Sequence, residues 1–147
     1  MKKFFVILIA LFITLITSIY MVSSYRANAL NIQKLNKEYE DYYNIEILGT
    51  ELISIINRTI DLNNKNNINR DNDGYYIDNE KDYKEIYIEF IYKNETKLIK
   101  MEDIEKSGIE TFVKMYSTAS FKCTEIKYHQ KTNNVKSLIF KEIKENN

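Results

Sequence analysis

EIYIEFIY, residues 85–92, is the stretch on which the fold turns. Ile86, Ile88, Phe90 and Tyr92 fall on one side of an extended chain, and Tyr87 and Ile91 make the other side half apolar. A two-residue period belongs to a strand, and isoleucine, tyrosine and phenylalanine suit a pleated, half-buried surface. Downstream, KNET (93–96) reads as a hairpin loop into KLIKM (97–101). FKCTEIKYH (121–129) and VKSLIFKEI (135–143) alternate in the same way and flank QKTNN (130–134), a second hairpin. Between the hairpins, Met101, Ile104, Phe112, Val113 and Tyr116 follow a helical period, with Gly108 an unfavourable interruption. The expected class is α+β: a small antiparallel sheet of two hairpins, with helix 102–116 over one face.

Upstream of the deciding strand lies NRDNDGYYIDNE, residues 69–80. Asn69, Asp71 and Asp73 alternate, Gly74 is sixth and Glu80 twelfth, close to the spacing of an EF-hand loop. Asn69 stands where an aspartate belongs, Tyr76 where an aliphatic residue belongs, and the strand at 85–92 occupies the place of the second helix. The expectation is a turn at Asp73-Gly74 feeding a short strand, YYID. The alternative is a calcium loop of another kind, with Asn69, Asp71, Asp73 and Glu80 as ligands, filled at extracellular millimolar calcium. No other cofactor is expected.

The amino-terminal part is of different character. FFVILIALFITLITSIYMV, residues 4–22, is 19 residues without a charge, preceded by Lys2 and Lys3. As a helix it spans about 28 Å, close to the roughly 30 Å of bilayer hydrocarbon. Ala27-Asn28-Ala29 offers a signal-peptidase-like site, but the apolar run exceeds a cleavable signal and Arg26 sits within the would-be cleavage region. Residues 1–26 therefore read as an uncleaved signal anchor, a transmembrane helix. Lys2 and Lys3 favour an inside amino terminus, whereas Arg26, Lys34 and Lys37 flank the other end. The opposite orientation would translocate a short positive tail, so the chain is expected to cross the cell membrane once with its C-terminal domain extracytoplasmic.

Ile32, Leu35, Tyr39 and Tyr42 recur at spacings of 3, 4 and 3, the stripe of an amphipathic stalk helix over 27–48 that Ile45 and Leu48 extend to Gly49. Leu52, Ile53, Ile56 and Ile60 mark a second helix, opening an extracytoplasmic domain at 49–147. NNKNNINRDNDG (63–74) has no apolar period and reads as loop. Within the anchor, Ala10, Thr14 and Ser18 form a small-xxx-small row that lets helices approach closely in lipid. With Ile32, Leu35, Tyr39 and Tyr42 they give a candidate self-association seam running from the bilayer into the exterior.

Chemistry has little to work with. Cys123 and His129 are the only thiol and imidazole, and six residues apart on one strand they lie about 20 Å from each other. Cys123 reads as a buried small residue and His129 as a solvated side chain beside a turn. Gly49, Gly74 and Gly108 are the only glycines, so no phosphate-cradling loop exists. The chain is not expected to be an enzyme. Basic and acidic residues each total 21, which gives no electrostatic reason for a nucleic-acid partner. Asparagine and lysine are so abundant that the sequons at Asn57 and Asn94 carry little weight.

A transmembrane helix continuing into an amphipathic helix and then a small sheet resembles the layout of type IV pilins and pseudopilins, which implies an assembly role. The chain lacks a glycine before Phe4 and a glutamate in the first turn of the apolar helix. YNIEILGTELISIINRTIDLNN, DGYYIDNE and FKCTEIKYHQKT also resemble uncharacterised single-span proteins of low-GC Gram-positive bacteria. The function expected is a structural or accessory subunit of an envelope assembly, pilus-like or secretion-related, meeting itself or other envelope proteins through the N-terminal helix. The alternative is a membrane-tethered binding module for peptide, wall polymer or calcium.

Overall fold

The computed structural model of the chain describes residues 2–92 and 95–144. In order the elements are α1 (Lys2–Glu40), β1 (Glu46–Leu48), α2 (Gly49–Lys65), β2 (Glu85–Tyr92), β3 (Glu95–Lys100), α3 (Met101–Ser107), α4 (Ile109–Tyr116), β4 (Ser120–Tyr128) and β5 (Val135–Ile143). The fold class is α+β. Two compact units meet within α1, residues 1–35 and 36–147.

Residues 2–35 are helical, and residues 3–28 are exposed without exception. A helix that is apolar all round is stable only in an apolar surrounding, and α1 is long and apolar enough to cross a membrane. Its hydroxyls are satisfied internally: Thr14 Oγ1 donates to Leu11 O (2.8 Å) and Ser18 Oγ to Thr14 O (2.7 Å). Neither side chain therefore carries an unmet donor into lipid.

The second unit is built on a five-stranded sheet of order β1-β4-β5-β2-β3. Both expected hairpins form, β2 with β3 and β4 with β5. They are joined by a parallel pairing of β5 with β2, which sets Ile86 beside Leu138 and Ile88 beside Phe140. Cys123 faces Phe140 from the other side, so one sheet face presents a continuous apolar row. Leu52, Ile55 and Ile56 of α2, Met101 and Ile104 of α3, and Phe112 of α4 close over it in a single core. Gly49 is required where α2 begins, because a Cβ there would sit 1.8 Å from Tyr116 O at the end of α4.

Three local expectations are corrected. The stalk helix does not reach residue 48. It ends at Glu40, Asn44 takes a left-handed φ of 62°, and Ile47 is buried in β1 between exposed Glu46 and Leu48. Helix 102–116 is two helices, because Gly108 adopts φ 87°, a conformation in which only glycine is unstrained. YYID forms no strand; Tyr76 makes one isolated bridge to Arg70. Lys93 and Asn94, half of the expected KNET loop and the acceptor of the second sequon, lie outside the described residues.

Candidate binding surfaces of the domain

The spacing at 69–80 serves a turn. Asp71 Oδ1 accepts the N–H groups of Asp73 (3.0 Å) and Tyr75 (2.8 Å), and the Asp71 N–H donates to Tyr75 O (2.8 Å). Asn69 contributes its carbonyl, which accepts the Ile77 N–H, and Gly74 takes φ 84°. The Arg70 guanidinium lies 4.0 Å over the Tyr76 ring and forks onto Glu105 at 2.8 and 3.1 Å, fastening the turn to α3. Glu80 is paired with Lys131 instead. Among the described residues no group of three or more His, Cys, Asp or Glu could hold a metal ion. Of the four residues of the calcium spacing, Asp71 holds backbone donors, Glu80 holds Lys131 and Asn69 offers its backbone carbonyl to the turn.

The seam residues are divided. Ala10, Thr14 and Ser18 are exposed on the first unit, and Ile32 and Leu35 are half-buried there. Tyr39 is fully buried in the core of the second unit, and Tyr42 is packed against that core. The Tyr39 hydroxyl and Thr59 Oγ1 are hydrogen-bonded at 3.1 Å, while the Arg58 guanidinium and the Lys84 ammonium sit 5.4 and 5.5 Å from its ring. Of the expected seam, Tyr39 is spent in the domain's core, and Tyr42 is half-buried beside it.

Cys123 is buried, and burial pushes its thiol up to about 11. His129 is buried too, against expectation. Its Nε2 lies 2.7 Å from Tyr83 O, so this nitrogen carries the proton and donates, and Nδ1 lies 3.8 Å from Asp78. The imidazole staples the β4–β5 turn to the segment before β2, as do Thr132 and Asn134, which both donate to Lys81 O. A cleft of about 350 Å³ opens here, lined by Asp78, Glu80, Tyr128, His129, Lys131 and Lys136. Burial raises the Asp78 carboxyl, but the Lys136 ammonium at 2.5 Å and the Glu80 N–H more than offset it and bring it below the usual range. With Lys131 on Glu80 and Lys136 on Asp78, these opposed charges are matched within the cleft.

Sequence reasoning missed the buried charges. Lys84 is 5% exposed, donates to Val135 O at 2.8 Å, and is pushed by burial down to about 8. Glu102 is fully buried: Oε1 accepts the Tyr76 N–H, Oε2 has no hydrogen-bond partner among the described residues, and burial raises its carboxyl. Buried Glu85 lies 3.0 Å from the Lys100 ammonium. Burial, then hydrogen bonding to Glu85, pushes the Tyr83 and Tyr87 hydroxyls up. Lys84 and Glu85 stand directly before and at the start of the alternating strand, and the change to consecutive polar residues there was the available signal.

The second opening differs in character. A groove of about 350 Å³ runs between β3 and helices α3 and α4, walled by Phe90, Ile99, Ile104, Phe112, Met115 and Tyr116. Phe90 and Phe112 each place their ring 4.9 Å from that of Tyr116, and Met115 is 62% exposed. Lys97 and Asp103 stand at its lip. Comparison with protein-family models, curated proteins and solved structures finds no match for this chain.

Proposed function

We propose that the chain is a binding module tethered to the cell membrane by α1, its domain held outside the cell. The observation that carries this reading is the burial of Tyr39, with Tyr42 beside it. The end of the apolar stripe, Tyr39 and Tyr42, is taken up by the domain's own core, so that part of it needs no second subunit to cover it. Burial of both Cys123 and His129 supports binding rather than turnover. The assembly-subunit reading is favoured by one observation, the exposed row of Ala10, Thr14 and Ser18.

Crosslinking in membranes separates the two. Single cysteines replace Thr14, Ser18 and Ile32 in a Cys123→Ser background. Uniformly low dimer yield supports the tethered module. A yield that rises and falls with helical period along α1 contradicts it and supports assembly.

A further inference from the structure

β3 is the last strand of the sheet, and among the described residues no strand lies beyond it. Apart from the Lys100 N–H, which Asp103 Oδ2 accepts, its outer row of backbone N–H and C=O groups is available to an added strand. The register pairs Lys97 with Phe90 and Ile99 with Ile88, so Lys97 and Ile99 share the helix-side face of the sheet. An added strand would therefore lay alternate side chains into the groove between β3 and α4. The aromatic walls suit an apolar side chain.

Charge selects the partner further. The Asp103 carboxylate is already used: Oδ1 accepts the Tyr75 hydroxyl (2.6 Å) and Oδ2 the Lys100 N–H (3.0 Å). Lys97 makes no ion pair or side-chain hydrogen bond among the described residues. The groove thus offers one uncommitted cation beside an apolar floor. A second copy is a poor occupant, because β3 paired antiparallel with itself about a two-fold axis centres on Lys97 or Leu98. The two Lys97 ammonium groups then stand opposite or diagonal to each other, a like-charge arrangement.

We propose that the groove binds an extended peptide segment, added as a strand to the edge of β3. It seats an aliphatic or aromatic side chain on Phe90, Phe112 and Tyr116 and brings a carboxylate to Lys97. This rests on the binding-module reading and names its ligand class.

The test selects linear heptapeptides displayed on phage against the full chain in lipid nanodiscs. A recovered peptide is then titrated calorimetrically into wild type, Lys97→Glu, Met115→Lys and Lys131→Glu, the last lying on the polar cleft. Recovered peptides are expected to alternate apolar residues and to carry an acidic one. Lys97→Glu and Met115→Lys each weaken binding about fivefold or more, and Lys131→Glu leaves it within about twofold. Replacing the acidic residue of the peptide by its amide weakens binding to wild type but not to Lys97→Glu. Peptides that bind all four proteins equally overturn the groove and leave the module reading standing. An empty selection, or dimerisation of the chain that Lys97→Glu abolishes, also overturns the peptide groove. Joined by helical periodicity in the α1 crosslinks, an empty selection overturns both.

Discussion

Replacing Tyr39 by alanine removes the side chain that joins α1 to the domain core. The ring is fully buried, and truncating a buried aromatic residue to alanine costs about 3–5 kcal/mol. The loss includes a ring face beside two cations, Arg58 and Lys84, and leaves the buried ammonium less well accommodated. Tyr39→Phe separates ring from hydroxyl. Thr59 Oγ1 keeps its bond to Ile55 O (2.8 Å), so no partner is orphaned and the cost falls to about 1 kcal/mol. A domain is stable by only about 5–15 kcal/mol. At about 4 °C per kcal/mol, alanine therefore lowers the melting midpoint by about 12–20 °C and phenylalanine by about 4 °C. The assay is near-ultraviolet circular dichroism on the full chain in detergent micelles, with Tyr25→Ala on the exposed face of α1 as control, expected to shift nothing measurable. A Tyr39→Ala midpoint within about 2 °C of wild type would refute the reasoning.

Lys84→Met exchanges an ammonium that is bonded to a backbone carbonyl, and that pairs with no carboxylate among the described residues, for an apolar chain of similar length and is expected to be neutral or stabilising at pH 7. The folded pKa of about 8 lies below the ordinary 10.5, so the unfolded chain binds more protons between these values. Stability should then rise with pH above about 8 by up to about 3 kcal/mol, a rise Lys84→Met abolishes in urea titrations. Glu102 runs the other way, because its carboxyl is raised by burial. Its stabilisation is present below pH 4.5 and is lost as pH rises through the folded value, and Glu102→Gln should flatten that decline while keeping the Tyr76 N–H bond. Gly108→Ala forces a Cβ onto φ 87° and should cost about 1–3 kcal/mol by chemical denaturation.

Periodicity carried most of the fold. The strands at β2, β4 and β5 and the helix at α2 were legible because their apolar residues repeat over long enough runs to distinguish a period of two from one near 3.6. The stalk boundary was not, because Ile45 and Leu48 continue the helical spacing of Tyr39 and Tyr42 while Ile45, Ile47 and Glu46 equally satisfy a strand. Asn44 decides between them by its left-handed backbone, and the paired strand β4 holds the result, with the Asn44 N–H on Cys123 O. The parallel union of β5 with β2 is a long-range choice that no local pattern encodes. Gly108 was visible as an interruption, but its positive φ, which makes two helices of one, is a backbone property. The groove could not be read at all. It gathers Lys97 and Ile99 from β3 and Phe112 and Tyr116 from α4, and its openness follows from β3 being last in the sheet. His129 was misread because its burial comes from the 78–83 segment folding over it, a contact distant in sequence.

Tyr39 and Tyr42, at the end of the apolar stripe, belong to the domain's own core. A fragment of residues 27–147, lacking the membrane-spanning stretch, tests this most directly by light scattering coupled to size-exclusion chromatography, with urea unfolding on the eluted peak. The expected result is a soluble monomer that unfolds in one cooperative transition and loses that transition's stability on Tyr39→Ala. An oligomer at every concentration, dissolving to monomer only when Tyr39 or Tyr42 is replaced, would place those rings between subunits and contradict it.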